Sequence, residues 1–169
     1  PIYERAKAGM LRLPTEAKLI SDSKATATID GNNGLGPVAA TMAMETAMKK
    51  AGEFGMGMAL AKNTNNVGCL GYYTGLVARA GMIGIMACNA NASMAPWGGA
   101  QAYFGTNPIS ISVPTKKGHP IVLDMASSIV ARGKIRKASR EKGKIPEGWA
   151  LDKEGRPTTD PDEALEGTL

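Results

Sequence analysis

Aromatic side chains are scarce in this 169-residue chain, at 5%, and histidine occurs once. The lone His119 lies in a Lys-Lys-Gly-His-Pro turn. The chain therefore supplies no Ser-His-Asp or Cys-His constellation and no histidine metal cluster. Two cysteines are present, Cys69 and Cys88, both in apolar segments and without zinc-ligand spacing. That pattern argues against a disulfide scaffold and for a reduced, cytoplasmic setting. No apolar run approaches the ~20 residues that cross a bilayer. No basic-then-apolar leader with a small-residue cleavage site opens the chain. Neither a membrane partner nor secretion is expected.

What is present fits one ordinary domain, residues 1–169, with 43% apolar and 21% charged residues. Glycine is abundant at 21 residues and methionine at 10, which points to tight loops and close backbone approaches. The net charge of +5 is local. Residues 129–144 hold seven Lys/Arg and one Glu, whereas residues 145–169 hold seven acids and two bases. No aromatic residue is interleaved in the basic stretch to stack on bases, so no nucleic-acid partner is expected. Binding of RNA or DNA through that stretch would show as affinity falling steeply with salt.

The order of elements reads as mixed α/β. Tyr3–Gly9 reads as helix, and Lys24–Asp30 alternates as a half-exposed strand. Gly31–Gly36 has turn chemistry. Pro37–Ala51 reads as a largely buried helix with Thr41, Glu45 and Lys49 as its polar stripe. Met56–Lys62 reads as a strand, the segment after Gly68 as a helix through Gly81, and Met82–Cys88 as a buried strand. Asn89–Pro108 is long and aperiodic, a feature common in functional loops. Ile109–Val113 and Pro120–Asp124 bracket a hairpin signal at Thr115–His119. Ser127–Lys144 reads as an amphipathic basic helix with Ala131, Ile135 and Ala138 on one side. Trp149–Asp152 and Thr158–Asp160 flank a turn, and a short acidic helix starts at the Asp160 cap.

Four stretches carry candidate chemistry. Gly34–Ala39 matches the G-x-G-x-x-A dinucleotide fingerprint between a strand and a helix. Pro37 removes an N–H where a pyrophosphate would need one, and no acid ends the next strand to hold a ribose, so a structural glycine turn is the competing reading. Asn63-Thr64-Asn65-Asn66 gathers amides and a hydroxyl at a strand end, where α/β folds place ligands; a helix-capping loop explains one or two of these residues, not four. Ser93–Pro108 combines Trp97 with Gly98, Gly99 and Gly105-Thr106-Asn107-Pro108, which suits a ligand-approaching loop or a rigid structural one. Asp124, Ser127 and Ser128 suit ligand contacts or helix caps. The basic helix with Lys134 suits a solvated face or an anion contact.

Taken together, the strings DGNNGLG (30–36), NTNNVG (63–68), MAPWGG (94–99), FGTNPI (104–109), VLDMASS (122–128), IPEGWALD (145–152) and GRPTTDP (155–161) resemble one family over essentially the whole chain. It is the type-2 malate/L-lactate dehydrogenase family, which includes ureidoglycolate, sulfolactate and 2,3-diketogulonate oxidoreductases. The resemblance implies reversible hydride transfer between NAD or NADP and a small 2-hydroxy or 2-oxo acid. It implies a non-Rossmann nicotinamide-binding α/β fold, a mixed sheet with flanking helices, and a homodimer with the site near the subunit contact. By the same resemblance Asn63 and Asn65, Ala95-Pro96-Trp97-Gly98, Gly105-Thr106-Asn107-Pro108 and Asp124-Met125-Ala126-Ser127-Ser128 form the cofactor wall. Thr158, Thr159 and Asp160 are further contacts, and Lys134 is an anion partner. No metal is implied.

Two departures stand out. Where the family loop usually carries a catalytic histidine, this chain has Asn66, an amide that polarises a carbonyl by hydrogen bonding but donates no full proton at neutral pH. Family members are also about twice as long, with an upstream Ser-His-Gly…Arg segment and a downstream Gly-Gly-x-Lys-Gly-Tyr-Gly stretch that have no counterpart here. The chain thus reads as the family's cofactor-binding core, and the arginine for the substrate carboxylate is expected in the upstream segment. A non-catalytic nucleotide-binding or assembly module of the same ancestry is the alternative.

Overall fold

The alternation around Ile29 becomes the middle strand of a mixed sheet. A computed structural model of the chain describes residues 2–169. In chain order the first elements are α1 (Ile2–Lys7), β1 (Lys18–Asp22), β2 (Thr26–Gly34), α2 (Gly36–Phe54), β3 (Met58–Thr64) and α3 (Leu70–Arg79). Then follow β4 (Gly84–Ala87), β5 (Ala92–Met94), β6 (Phe104–Gly105), β7 (Ile109–Val113) and β8 (Ile121–Met125). The last elements are α4 (Arg132–Arg140), β9 (Ala150–Leu151), β10 (Pro157–Thr158) and α5 (Pro161–Glu166). The chain divides into two compact units: one extends to Ile85 and takes in Ile111–Val122, the other holds Met86–Ser110 and Leu123–Leu169.

In the first unit the strand order is β1-β2-β3, with β1 antiparallel and β3 parallel to β2. A parallel neighbour needs a crossover, and α2 supplies it. Alternation along β2 sends Ala27 and Ile29 toward α2, where Ile29, Ala39 and Ala43 form a core with Met42 and Ala59 against it. Small residues on both faces let helix and sheet approach closely. Lys50 is also buried, and its ammonium pairs with Asp22 and bonds the Ser23 and Lys24 carbonyls, so the charge is matched rather than stranded.

The second unit packs α4 against the acidic helix α5. Its core is Val130, Ile135, Ile145, Ala150 and Ala164, with Trp149 and Leu165 against it. Two antiparallel pairs, β5–β6 and β9–β10, shape its loops. Asp160 caps α5 as expected, accepting from the Asp162 and Glu163 amides at 2.8 and 3.4 Å.

A further three-stranded sheet has the order β4-β7-β8, so the hairpin signal at Thr115–His119 joins neighbours. The Thr115 hydroxyl closes its tip by donating to the His119 carbonyl at 2.7 Å.

Several elements differ from the sequence expectation. Gly31–Gly34 is not a turn: β2 runs on to Gly34, with Asn32 and Asn33 at positive φ and a register shift against β3 between Asp30 and Gly34. Asparagine tolerates that conformation, so the strand bends without ending. Helix α2 is not largely buried: its buried positions are Gly36, Ala39, Ala40, Ala43 and Lys50, while Val38 is 43% exposed. The stretch at Ile83–Ile85 is not buried either, because no described side chain covers those two isoleucines, 68% and 64% exposed. Helix α4 starts at Arg132 rather than Ser127, since the Ser127 and Ser128 hydroxyls bond the Thr106 and Val130 carbonyls and hold the backbone out of helix. Strands β1, β5 and β6 lie in stretches that the sequence pattern left unassigned. No helix among the described residues is long and apolar enough to cross a membrane.

Candidate functional site

In the first unit the polar groups converge at the carboxyl ends of β2 and β3, the customary ligand end of parallel strands. Asp30 closes the regular part of β2. Its carboxylate accepts from the Asn32 amide at 2.8 Å and from Asn63 Nδ2 at 3.2 Å on both oxygens. These bonds hold Asn63 at a positive φ of 51° and start the Asn63–Asn66 loop. Asn65 Nδ2 donates to the Asn33 and Gly34 carbonyls at 2.8 and 3.1 Å, and its Oδ1 accepts from Arg5 Nε at 2.7 Å. Both ends of that amide serve the loop. Asn66 is different. Its Oδ1 accepts from the Gly68 amide at 2.7 Å, which fixes the side chain, and Nδ2 has no hydrogen-bond partner among the described residues.

The glycine fingerprint has a structural task here. A Cβ on Gly36 would lie 2.2 Å from the Asn65 carbonyl and 2.3 Å from that of Asn66. Only glycine lets the first turn of α2 seat the loop from behind. The motif GLGPVA therefore supports the Asn66 loop.

The Asn32 amide, and after it the Asn63 side chain, hold the Asp30 carboxyl below its ordinary value of 3.8. The folded state thus binds this proton less readily than the unfolded chain. The stabilisation is complete above that ordinary value and is lost as pH falls through the lowered one. Acid titration followed by the Asn63 side-chain amide resonances should show the loop released only below pH 3.8, and Asp30→Asn should remove the transition. An unchanged transition in the variant would refute the role of Asp30.

The other predicted contacts fall in the second unit. Trp97 is wholly exposed, beside Gly98 at φ 75° with open space around its Cα. Gly99 donates to the Pro96 carbonyl at 2.8 Å and tightens the turn that follows Ala95. Asn107 Oδ1 accepts from the Ala90 amide at 2.9 Å, joining the two ends of the long loop around Gly105 and Pro108. Ser127 donates twice, from N and Oγ, to the Thr106 carbonyl, which docks the segment Asp124–Ser128 onto Gly105–Pro108. Met125 is exposed and Ala126 half-buried in that segment. Thr158 is buried and donates to Glu163 at 2.6 Å, so with the capping Asp160 it serves α5, while Thr159 is exposed. Lys134 Nζ lies 5.9 Å from the centre of the Trp149 ring, a cation–π arrangement.

The structure brings forward residues that sequence reasoning passed over: Asp30, Gly36 as a support, and Arg5. Arg5 meets Asn65 across a separation of 60 residues, a contact no local pattern signals. Asp30 had a signal, the turn-forming Asp-Gly pair.

Comparison with known proteins gives one family. The profile of the malate/L-lactate dehydrogenases matches residues 1–169. The chain is 47% identical to L-sulfolactate dehydrogenase of Methanocaldococcus jannaschii over 163 residues, 96% of this chain and 47% of that protein. The solved structure of the sulfolactate dehydrogenase from that organism superposes with a TM-score of 0.83, covering 98% of this chain and 48% of the other. A (2R)-3-sulfolactate dehydrogenase (NADP(+)) of Chromohalobacter salexigens is 37% identical over 97% of this chain and 53% of its own length. Ureidoglycolate dehydrogenase (NAD(+)) of Escherichia coli K12 is 36% identical over 94% of this chain and 45% of its own. The chain thus spans about half the length of the curated relatives it matches.

Proposed function

The chain belongs to the malate/L-lactate dehydrogenase family and has its α/β fold, and on that premise we propose that it serves NAD- or NADP-dependent oxidation and reduction of a small 2-hydroxy/2-oxo acid. The observation that carries this is the exposed Asn66 amide, held through Oδ1 at a strand end and backed by α2, with Nδ2 unpartnered among the described residues. Such a donor stabilises negative charge that develops on a C2 oxygen as the carbonyl is reduced. When bound, the nicotinamide supplies or accepts the hydride.

The second unit fits a nucleotide. The Trp97 ring is wholly exposed and available for stacking, and the loop beside it is braced by Asn107 and Ser127 instead of being slack. Trp97, Gly98, Thr106 and Asp124–Ser128 are assigned to hold it. Thr159 and Lys134 are assigned as outer contacts. Thr158 and Asp160 contribute through the cap of α5, and Asn63 and Asn65 through the rigidity of the Asn66 loop.

Titration of the 169-residue chain with NADH and NADPH, read by tryptophan quenching, tests the assignment. One nucleotide is expected to saturate at micromolar concentration, and Trp97→Phe is expected to abolish most of the quenching while Trp149→Phe keeps it. Absence of binding by both nucleotides to folded protein would refute the nucleotide site in this chain. Quenching that persists in Trp97→Phe would move it away from Trp97.

A further inference from the structure

The bond that fixes Asn66 is one end of a longer chain of hydrogen bonds. The Gly68 N–H that Asn66 Oδ1 accepts at 2.7 Å belongs to the planar peptide unit joining Val67 to Gly68. At the other end of that unit is the Val67 carbonyl, and Tyr73 takes it: the phenol hydroxyl donates to Val67 O at 2.6 Å. Tyr73 lies in the first turn of α3, where side chains lean toward the helix N-terminus, so it reaches back to the loop that precedes the helix. It is 2% exposed, and its ring meets Tyr72 edge-on at a centroid distance of 5.2 Å. Burial raises its pKa above the ordinary value of 10.0, so the hydroxyl keeps its proton at neutral pH and serves as a donor. Gly68 adopts φ 80° with open space around its Cα, so glycine there serves the backbone turn that aims the peptide unit, not a close contact.

We propose that Tyr73 is a positioning residue, which orients and polarises the Asn66 amide through the Val67–Gly68 peptide unit. The donors run in one direction: Tyr73 O–H to the Val67 carbonyl, Gly68 N–H to Asn66 Oδ1, and then Asn66 Nδ2, which has no partner among the described residues. A hydrogen bond received at an amide oxygen draws electron density toward it and makes the N–H at the far end a stronger donor. In such a chain each bond strengthens the next by roughly 10–30%. Tyr73 thus sets the direction and strength of a donor that it does not touch. Asn63 and Asn65 stand outside this chain, because Asp30 and Arg5 anchor them. The proposal rests on the reading of Asn66 as the donor to a C2 oxygen and names the residue that tunes it.

NMR of the isotope-labelled 169-residue chain, with no nucleotide or acid present, provides the test. Wild type is compared with Tyr73→Phe, which keeps the ring and removes the donor, and with Tyr73→fluorotyrosine, which keeps the shape and makes the phenol a stronger donor. In Tyr73→Phe the Gly68 amide is expected to exchange with solvent about threefold to tenfold faster, the scale of one net hydrogen bond. The Gly68 amide proton and the Asn66 Nδ2 protons are expected to move upfield. In Tyr73→fluorotyrosine the same protons are expected to move downfield. The Asn63 and Asn65 side-chain amides are expected to stay in place in both. A purely structural tyrosine would not give shifts of opposite sign. Shifts of one sign in both variants, no shift at Asn66 Nδ2 in the fluorotyrosine variant, or equal displacement at Asn63 and Asn65 would overturn the proposal. Should Tyr73→Phe fail to fold, the fluorotyrosine variant decides alone. The two readings fail separately. Opposite shifts in a chain that binds neither NADH nor NADPH keep the relay and refute the nucleotide site; NADH binding without those shifts does the reverse.

Discussion

Gly36→Ala is expected to detach the Asn66 loop from helix α2 and to weaken the first unit as a whole. The new Cβ would stand 2.2 Å from the Asn65 carbonyl and 2.3 Å from that of Asn66. Both are backbone atoms, so no side-chain rotation relieves the contact. Either α2 withdraws or the loop moves, and overpacking of this kind costs ~1–3 kcal/mol. Asp30 and Arg5 anchor the loop through Asn63 and Asn65. The substitution therefore sets the anchors against the helix. The expected readouts are a lower urea midpoint and displaced Asn63 and Asn66 amide resonances. Alanine is otherwise a better helix former than glycine. A variant as stable as wild type, with those resonances in place, would show that the close approach of α2 does not position the loop.

Ile135→Ala is expected to give the largest loss of stability in the second unit. Ile135 has no exposed surface and sits among Val130, Ile145, Ala150 and Ala164. Two of those neighbours are alanines, too short to collapse into the space left behind. Removing a buried isoleucine side chain costs ~2–5 kcal/mol, and a rigid surround places the cost in the upper part of that range. Trp149 packs against the same cluster, so its fluorescence reports the unfolding of this unit directly. A shift worth less than ~1 kcal/mol would mean that the unit is held by something other than this core.

The contrast between the two substitutions shows what each kind of sequence signal conveys. Ile135 was legible because a lone isoleucine between lysines and arginines, at helical spacing from Ala131 and Ala138, leaves one choice of inward face. Its neighbours confirm this only in part: Ala131 is exposed at the N-cap and Ala138 is half-buried. Gly36 was legible as a structural glycine at the start of α2, but what it packs against was not. Its fingerprint matches a phosphate cradle, a reading that Pro37 and the missing strand-end acid already disfavour against a structural turn. The choice depends on what lies within about a van der Waals radius of its Cα, and in this fold that is the Asn65–Asn66 backbone.

The same limit applies to the three asparagines. Sequence places four polar residues at one strand end, which was enough to select the loop. It cannot divide them by task, because an amide carries one acceptor and two donors whatever its role. Tertiary contacts make the division: Asn63 is held by Asp30, Asn65 by Arg5 and three carbonyls, and Asn66 Nδ2 stays unpartnered among the described residues.

By itself, then, the sequence determined the family, the α/β alternation, the inward face of β2, the buried position of Ile135 and the cap of α5. All of these follow from periodicity, turn chemistry or strings of adjacent residues, which are local properties. Only the tertiary structure decided that β2 continues through its asparagines, that Gly36 braces a loop, and that Arg5 joins Asn65. Those facts depend on backbone approaches and hydrogen bonds between residues far apart in the chain, where no local pattern carries the information.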